Sequence, residues 1–519
     1  MTGADVLCDT LLAGEVDVCF ANPGTSEMQF VAALDQKPAM RCVLGLFEGV
    51  VTGAADGYAR MSGKPAATLL HLGPGLANGL ANLHNAKRAG SPMVNIVGDH
   101  AAGHLVHDAP LTSDIESLAR PMSDWVRRMT SSEQVQHDAM AAISAARHRP
   151  GQVATLVFPA DIAWSDASFQ ENLSFPVSPA PLTGLEDETL QAAVAAVRSG
   201  RRCLLLLGGE ALRQHPMADA ARIAQATGAG VMAEQANARM EHGRGRHAPG
   251  RIPYLVDDAV ACLKDYEVVI LIGAKAPVAF FKYPGKPSVV TPPGVNIIEL
   301  ATRATDLAGA LEVFRDALGI SPTLPVARAS RPPEPAAPDG SLTPRSLIAG
   351  LVAAMPENAI VCDEAISHSH AFGEAAALAP PHDLLQLTGG AIGIGPSLAA
   401  GAAIACPDRT VLAVQADGSA LYTFQALWTQ AREQLNVVTV LLSNRRYGSL
   451  YAELSRLGTP DPGNNARRLM DLENPTLDWV QLAQGLGVPA CRVERADDLT
   501  KAISRAVSAG GPSLIEAVL

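Results

Sequence analysis

The sequence predicts an α/β protein built from three tandem, doubly wound parallel-sheet domains. Short, continuous apolar runs such as Cys203–Leu207 and Val268–Ile272 read as strands buried on both faces. Helix-period segments lie between such runs, as the crossovers of parallel sheets require. Two proline-rich stretches then divide the 519 residues into three pieces of ordinary domain size.

In the first piece, 1–175, an apolar run from Cys42 to Phe47 precedes a helical stretch through Ala59, and Ser174–Pro181 reads as the first linker. In the second, 185–320, Thr189–Val197 is helical by period and Cys203–Leu207 is a strand ending at Gly208-Gly209. The second linker, Ser321–Ser346, holds seven prolines without apolar periodicity. The third piece, 345–519, contains strands at Thr410–Val414 and Val437–Leu442. Between them Phe424, Leu427, Trp428, Ala431 and Leu435 share one face of a predicted helix.

Composition narrows the function. Lys plus Arg is 40 against 52 Asp plus Glu, a net charge of −12, which repels phosphate backbones and argues against a nucleic-acid partner. The apolar content of 48% with only 18% charged residues excludes global disorder. Eight cysteines include no CxxC pair, so neither a zinc ribbon nor a disulfide framework is expected, and a cytoplasmic setting is. No apolar run has the length of a bilayer span, and no export signal is visible at Met1–Asp5, so no membrane partner is expected.

The most specific pattern lies in the third piece. One strand ends at Ala416-Asp417-Gly418-Ser419, and after the crossover the next ends at Ser443-Asn444-Arg445-Arg446. In a right-handed βαβ unit both ends open on the same carboxyl edge of the sheet, so the Asp417 carboxylate and the Asn444 amide oxygen can converge. Hard oxygen donors without His or Cys suit magnesium or calcium, with a backbone carbonyl, water and phosphate oxygens filling the remaining positions. The plain alternative is a strand-to-helix turn capped by Asp417. Asn444 at the neighbouring strand end weighs against it. The glycine run Gly389–Gly395 does not have the GxGxxG spacing of a dinucleotide site, and no GxxxxGK[ST] loop occurs.

The stretch from Ala416 to Leu450 resembles the aspartate-glycine…asparagine signature of thiamine-diphosphate enzymes, most closely the benzoylformate decarboxylase and acetolactate synthase group. Ala416 stands where that family usually has glycine. The resemblance implies a Mg2+ ion held by Asp417, Asn444 and the backbone carbonyl of Arg446. It places Gly390, Gly418, Ser419, Ser367, His368 and Tyr447 near the cofactor, with Ile392 as the apolar buttress beneath it. The segment Phe47–Arg60 resembles the family's glutamate motif, with Glu48 set against N1′ of the aminopyrimidine; relatives often carry histidine where Phe47 stands. A glutamate buried against Phe47 and Leu46 would have its protonated form favoured by desolvation. The plain alternative for Glu48 is a helix-starting acid complementing the macrodipole.

The turn Asn22–Glu27 and the segment His71–Gly75 match family segments from which Thr25 and His71 would face the substrate. The stretch Ala279–Tyr283 corresponds to one that supplies a second histidine in benzoylformate decarboxylase-like enzymes. It has none, and Phe280 and Phe281 would make a drier wall. The family's middle domain carries FAD in acetolactate synthases; FAD is possible here, but no residue in 185–320 marks a flavin site. His100, His104 and His107 lack the acidic or thiol partners that would complete a zinc site. The resemblance implies decarboxylation of a small-molecule 2-oxo acid, with carboligase side activity, in a homodimer or homotetramer whose active site straddles two chains. An acetolactate synthase-like carboligase or acyloin synthase or lyase and a non-catalytic nucleotide-binding protein are the alternatives. Retention of Glu48 speaks against the last, since binding alone does not need that acid.

Overall fold

The computed structural model describes residues 1–170, 184–247, 249–326 and 340–519. The first predicted linker lies outside the described residues, as does 327–339 of the second. The chain divides into two compact units. One comprises Met1–Ala180, Ala336–Phe372 and Leu387–Leu519; the other comprises Pro181–Pro335 and Gly373–Gln386.

The first unit begins with a six-stranded parallel sheet. Its strands are β1 (Val18–Asn22), β2 (Arg41–Leu44), β3 (Ala66–Leu70), β4 (Met93–Asp99), β5 (Trp125–Arg128) and β6 (Val153–Pro159), in the order β2-β1-β3-β4-β6-β5. Every residue of β3, β4 and β6 is buried, which explains their near-continuous apolar sequences. The polar exceptions satisfy one another across the sheet: the Thr68 hydroxyl donates to Asn95, whose amide donates to Thr155.

The second unit holds β7 (Cys203–Leu207), β8 (Gly230–Ala233), β9 (Met240–His242), β10 (Gly250–Arg251), β11 (Val268–Ile272) and β12 (Asn296–Ala301). Five of them form a parallel sheet in the order β10-β8-β7-β11-β12. The order reverses between β7 and β11, a doubly wound arrangement.

After β12 the chain continues with β13 (Ile360–Glu364), β14 (His382–Gln386), β15 (Val411–Ala416), β16 (Val437–Ser443), β17 (Ala490–Val493) and β18 (Ser513–Val518). Five of these run parallel within the first unit in the order β17-β18-β16-β15-β13. Within the second unit β14 pairs antiparallel to β9.

The crossover between β15 and β16 has less regular helix than its apolar face predicts. The helix covers only Ala426–Arg432, because the Thr423 hydroxyl bonds the Gly393 carbonyl and holds the preceding residues in a turn. Phe424 and Leu435 are nevertheless buried at its two ends.

Two helices of the first unit meet almost backbone to backbone. A Cβ on Gly57, in the helix Glu48–Ser62, would lie 2.1 Å from the Leu398 carbonyl oxygen. One on Gly401, in the helix Gly395–Ala405, would lie 1.8 Å from that of Ala54. Only glycine permits that approach at these two positions. The contact ties the Glu48 helix to the carboxyl-terminal half of the unit. Beside it the buried Asp56–Arg60 ion pair is completed by Ser91 and Thr388.

Candidate functional site

The β15–β16 unit brings its two strand ends together. Ala416 lies opposite Leu442 in the parallel register, so Asp417 and the chain after Ser443 leave the sheet side by side. The Asp417 carboxylate accepts the backbone N–H of Arg445 at 2.6 Å and that of Gly418 at 2.8 Å. The Asn444 side-chain oxygen accepts the N–H of Arg446 at 3.1 Å, and the Arg446 carbonyl accepts that of Gly448 at 2.9 Å. Each predicted oxygen donor is thus oriented by a backbone hydrogen bond and keeps lone-pair capacity for a cation. Asp417 is only 4% exposed, and burial pushes its carboxyl up to about 6 against the pull of these N–H donors. A divalent cation beside it would favour the ionised form.

Asp417 and Asn444 line a cleft together with Ser367, His368, Ile392, Gly418, Ser419, Arg446 and Tyr447. The His368 Nε2 is buried without a hydrogen-bond partner among the described residues, a polar atom suited to an anionic ligand. A Cβ on Gly418 would lie 2.7 Å from the Tyr447 ring, so this wall admits no side chain. An all-oxygen donor set beside an orphaned imidazole nitrogen fits a magnesium diphosphate. Gly390 is exposed and lies outside the residues lining the cleft.

Sequence reasoning missed Glu364. This residue, 1% exposed at the end of β13, accepts the backbone N–H groups of Gly393 and Gly395 on either side of Ile394. Burial pushes its carboxyl up to about 7.

Glu48 opens its helix as predicted, and the Asn78 amide donates to its carboxylate at 3.0 Å. The apolar enclosure expected of its neighbours does not form within one chain. Leu46 is 44% exposed, Glu48 is half-buried, and the Phe47 ring turns toward Gly49. Glu48, Thr25 and His71 all stand outside the residues lining the Asp417 cleft.

His71 follows β3 and occupies the N-cap position of the helix Leu72–Ala89. Its Nδ1 lies 2.8 Å from the buried Glu27 carboxylate and 3.3 Å from the Ser26 hydroxyl. Glu27 also accepts the Gly24 N–H and the Ser26 hydroxyl, so it is a fixed partner for the imidazole. Thr25, the residue favoured in that turn by sequence, is exposed.

Three loops of the candidate site carry a non-glycine residue in the left-handed region: Leu72 after β3 (φ 48°), Ile366 after β13 (φ 49°) and Arg445 after β16 (φ 57°). Such residues cost about 1–3 kcal/mol each and persist where the surroundings over-determine them, commonly at functional sites.

In the second unit Phe280 and Phe281 are exposed with ring centroids 4.8 Å apart, and Tyr254 packs on Phe280. The crevice at the β7–β11 switch point is filled by the chain itself. A Cβ on Gly208 would lie 2.5 Å from the Gly273 carbonyl oxygen, and Arg303 bonds both that oxygen and Glu234. The residues there do not fit a flavin nucleotide. The rings of His100, His104 and His107 pack in sequence at tilted angles, with centroids 5.4 and 5.6 Å apart. Among the described residues only His215, Asp219 and Glu312 bring three metal-type ligand atoms together, and Asp219 there is already bound by Arg222 and Arg315.

Residues 1–118 match the family model for the N-terminal TPP binding domain of thiamine pyrophosphate enzymes, and residues 367–517 match that for the C-terminal TPP binding domain. The chain belongs to the thiamine pyrophosphate enzyme family. It is 48% identical over 526 residues, 100% of this chain and 99% of the relative, to a Mycobacterium tuberculosis protein provisionally named acetolactate synthase large subunit IlvX. It is 29% identical to the benzoylformate decarboxylase of Pseudomonas aeruginosa, over 96% of this chain and 95% of that one. Among solved structures, the thiamine diphosphate-dependent 4-hydroxybenzoylformate decarboxylase of Rhodococcus jostii RHA1 superposes with a TM-score of 0.86 at 26% identity, covering 99% of this chain and 98% of that one. Family membership supports thiamine diphosphate as the cofactor. Among the described residues no helix is long and apolar enough to cross a membrane.

Proposed function

We propose that this chain is a cytoplasmic, thiamine-diphosphate- and magnesium-dependent enzyme that decarboxylates a 2-oxo acid to an aldehyde, with joining to a second carbonyl compound as a side activity. The observation that carries this reading is the Asp417 carboxylate bonded to the Arg445 N–H across two strand ends, beside Asn444 in one cleft. When bound, thiamine diphosphate supplies the nucleophilic carbon and the electron sink for loss of carbon dioxide. Asp417, Asn444 and the Arg446 carbonyl hold the cation. Ser367, His368, Gly418 and Ser419 receive the diphosphate, and Ile392 and Tyr447 form apolar and aromatic walls. Residues 1–175 supply the pyrimidine side, 185–320 form a middle domain and 345–519 supply the diphosphate side.

Glu48 holds a proton for the pyrimidine ring. It lies outside the residues that line the Asp417 cleft, which supports a site completed by a second copy in a homodimer or homotetramer. His71, oriented by Glu27, moves protons at the substrate, and Thr25 stands in the same turn as Glu27. His71→Ala should therefore lower kcat/KM for aldehyde formation by about 10²-fold, the usual effect of a lost acid–base group. Rates within about twofold of the parent would make His71 structural.

A second reading, carboligation as the main reaction, is favoured by the 48% identical relative. The two are separated by measuring carbon dioxide release from pyruvate and from benzoylformate against the condensation product. Aldehyde in excess of 2-hydroxy ketone is expected. The reverse ratio supports the synthase reading, and no cofactor-dependent turnover with either acid overturns the decarboxylase assignment for these substrates.

A further inference from the structure

The loop Gly389–Gly395 delivers Ile392 to the cleft, yet little in its own sequence holds it. Gly390 and Gly393 have φ of 79° and 96°, and glycine in such conformations gives the chain no local preference for one path. The loop is gripped from outside on two sides. On the amino-terminal side the buried Asn85 accepts the N–H groups of Gly389 at 3.1 Å and Ala391 at 3.3 Å, and donates to the Ala391 carbonyl at 2.8 Å. On the other side the Glu364 carboxylate takes the N–H groups of Gly393 and Gly395, while the Thr423 hydroxyl donates to the Gly393 carbonyl. Ile392 is the residue between the two grips.

A carboxylate this deeply buried is costly unless its hydrogen bonds are made. No cation pairs with Glu364 among the described residues; both of its backbone partners are N–H groups of the loop, and the Gln415 and Ser419 side chains also hydrogen-bond it. No side chain at Gly395 could share the space, since a Cβ there would lie 2.0 Å from the Gln415 Oε1 and 2.8 Å from the Glu364 carboxylate. The packing thus requires the loop backbone itself to meet the acid.

We propose that Glu364 is a positioning residue for the cofactor: by binding the Gly393 and Gly395 N–H groups it fixes the loop so that Ile392 stands in the cleft that receives thiamine diphosphate. The inference rests on the cofactor reading above. It predicts that Glu364 acts through Ile392 and not merely on folding.

Four chains decide it: the parent, Glu364→Gln, Ile392→Ala and the double variant. Each is titrated with thiamine diphosphate in saturating Mg2+ by calorimetry, with the thermal midpoint of the cofactor-free chain taken alongside. Glutamine turns one of the two acceptors into a donor facing an N–H group, so the affinity of Glu364→Gln should fall about tenfold. In the Ile392→Ala background the same change should cost less than about twofold, because the residue it positions is gone. Full additivity of the two losses would overturn the proposal. If Glu364→Gln does not fold, Thr423→Val removes the neighbouring grip at nearly constant volume and should weaken binding severalfold, again only while Ile392 is present. An effect within twofold, or one that is additive, overturns the proposal equally. Failure of the parent to bind thiamine diphosphate would instead sink the cofactor reading itself.

Discussion

Asp417→Ala is expected to lose more than about 100-fold in thiamine diphosphate affinity at saturating Mg2+. Changes to groups that merely orient metal ligands cost about 10–100-fold, and a charged ligand should cost more. The predicted cation site offers one anionic side chain. Without it, a neutral amide and a backbone carbonyl remain, too little for a strongly hydrated ion such as magnesium. The substitution also removes the acceptor for the Arg445 N–H, and with it the bond that holds a residue of φ 57° at the site. Asp417→Asn separates these effects in part: it removes the charge and keeps one oxygen for a backbone N–H, while its NH2 group meets the other N–H. Its affinity should lie between those of the parent and the alanine variant. Calorimetric binding unchanged in Asp417→Ala would remove the metal assignment.

The parts of this site legible in the sequence are those for which topology does the geometric work. Asp417 and Asn444 could be paired because each follows an apolar run, and the handedness of a βαβ unit puts both strand ends on one edge. Glu48 is legible through the resemblance of Phe47–Arg60 to a motif in which an acid opens a helix, and the helix does begin there. Its surroundings were not readable. Leu46 is its near neighbour in the chain, yet points to solvent, because adjacency does not fix the direction of a side chain.

Glu364 and Glu27 escaped notice for a related reason. Their partners, the Gly393 N–H and the His71 ring, lie 29 and 44 residues away, and nothing local distinguishes them from surface glutamates. Leu72, Ile366 and Arg445 gave no sign of left-handed backbone, since the usual sign is glycine or asparagine. Among the described residues five further non-glycine positions of this kind, Glu15, Asp108, Asn358, Gln434 and Asn474, lie outside the candidate site, so backbone strain locates the site only when combined with the donor atoms around it.

Glu48→Gln is expected to bind thiamine diphosphate and Mg2+ almost as the parent does, while exchange of the C2 proton slows by about 10²–10⁴-fold, the range for a lost acid–base group. The carboxylate makes a 3.0 Å bond to Asn78, which the glutamine oxygen can still accept, so the helix start should survive the change. What the amide cannot do is trade a proton. Exchange followed by NMR at parental rate would show that Glu48 has another task. The same variant tests the shared site. Mixed with Asp417→Ala, it supplies an intact diphosphate side, and Asp417→Ala supplies an intact Glu48. If the site is built from two chains, half of the sites in a mixed dimer pair intact Glu48 with intact Asp417, and activity should return on mixing although each variant alone is nearly inactive. If each chain carries a whole site, every site keeps one defect and no activity returns; an active monomer in sedimentation would lead to the same conclusion.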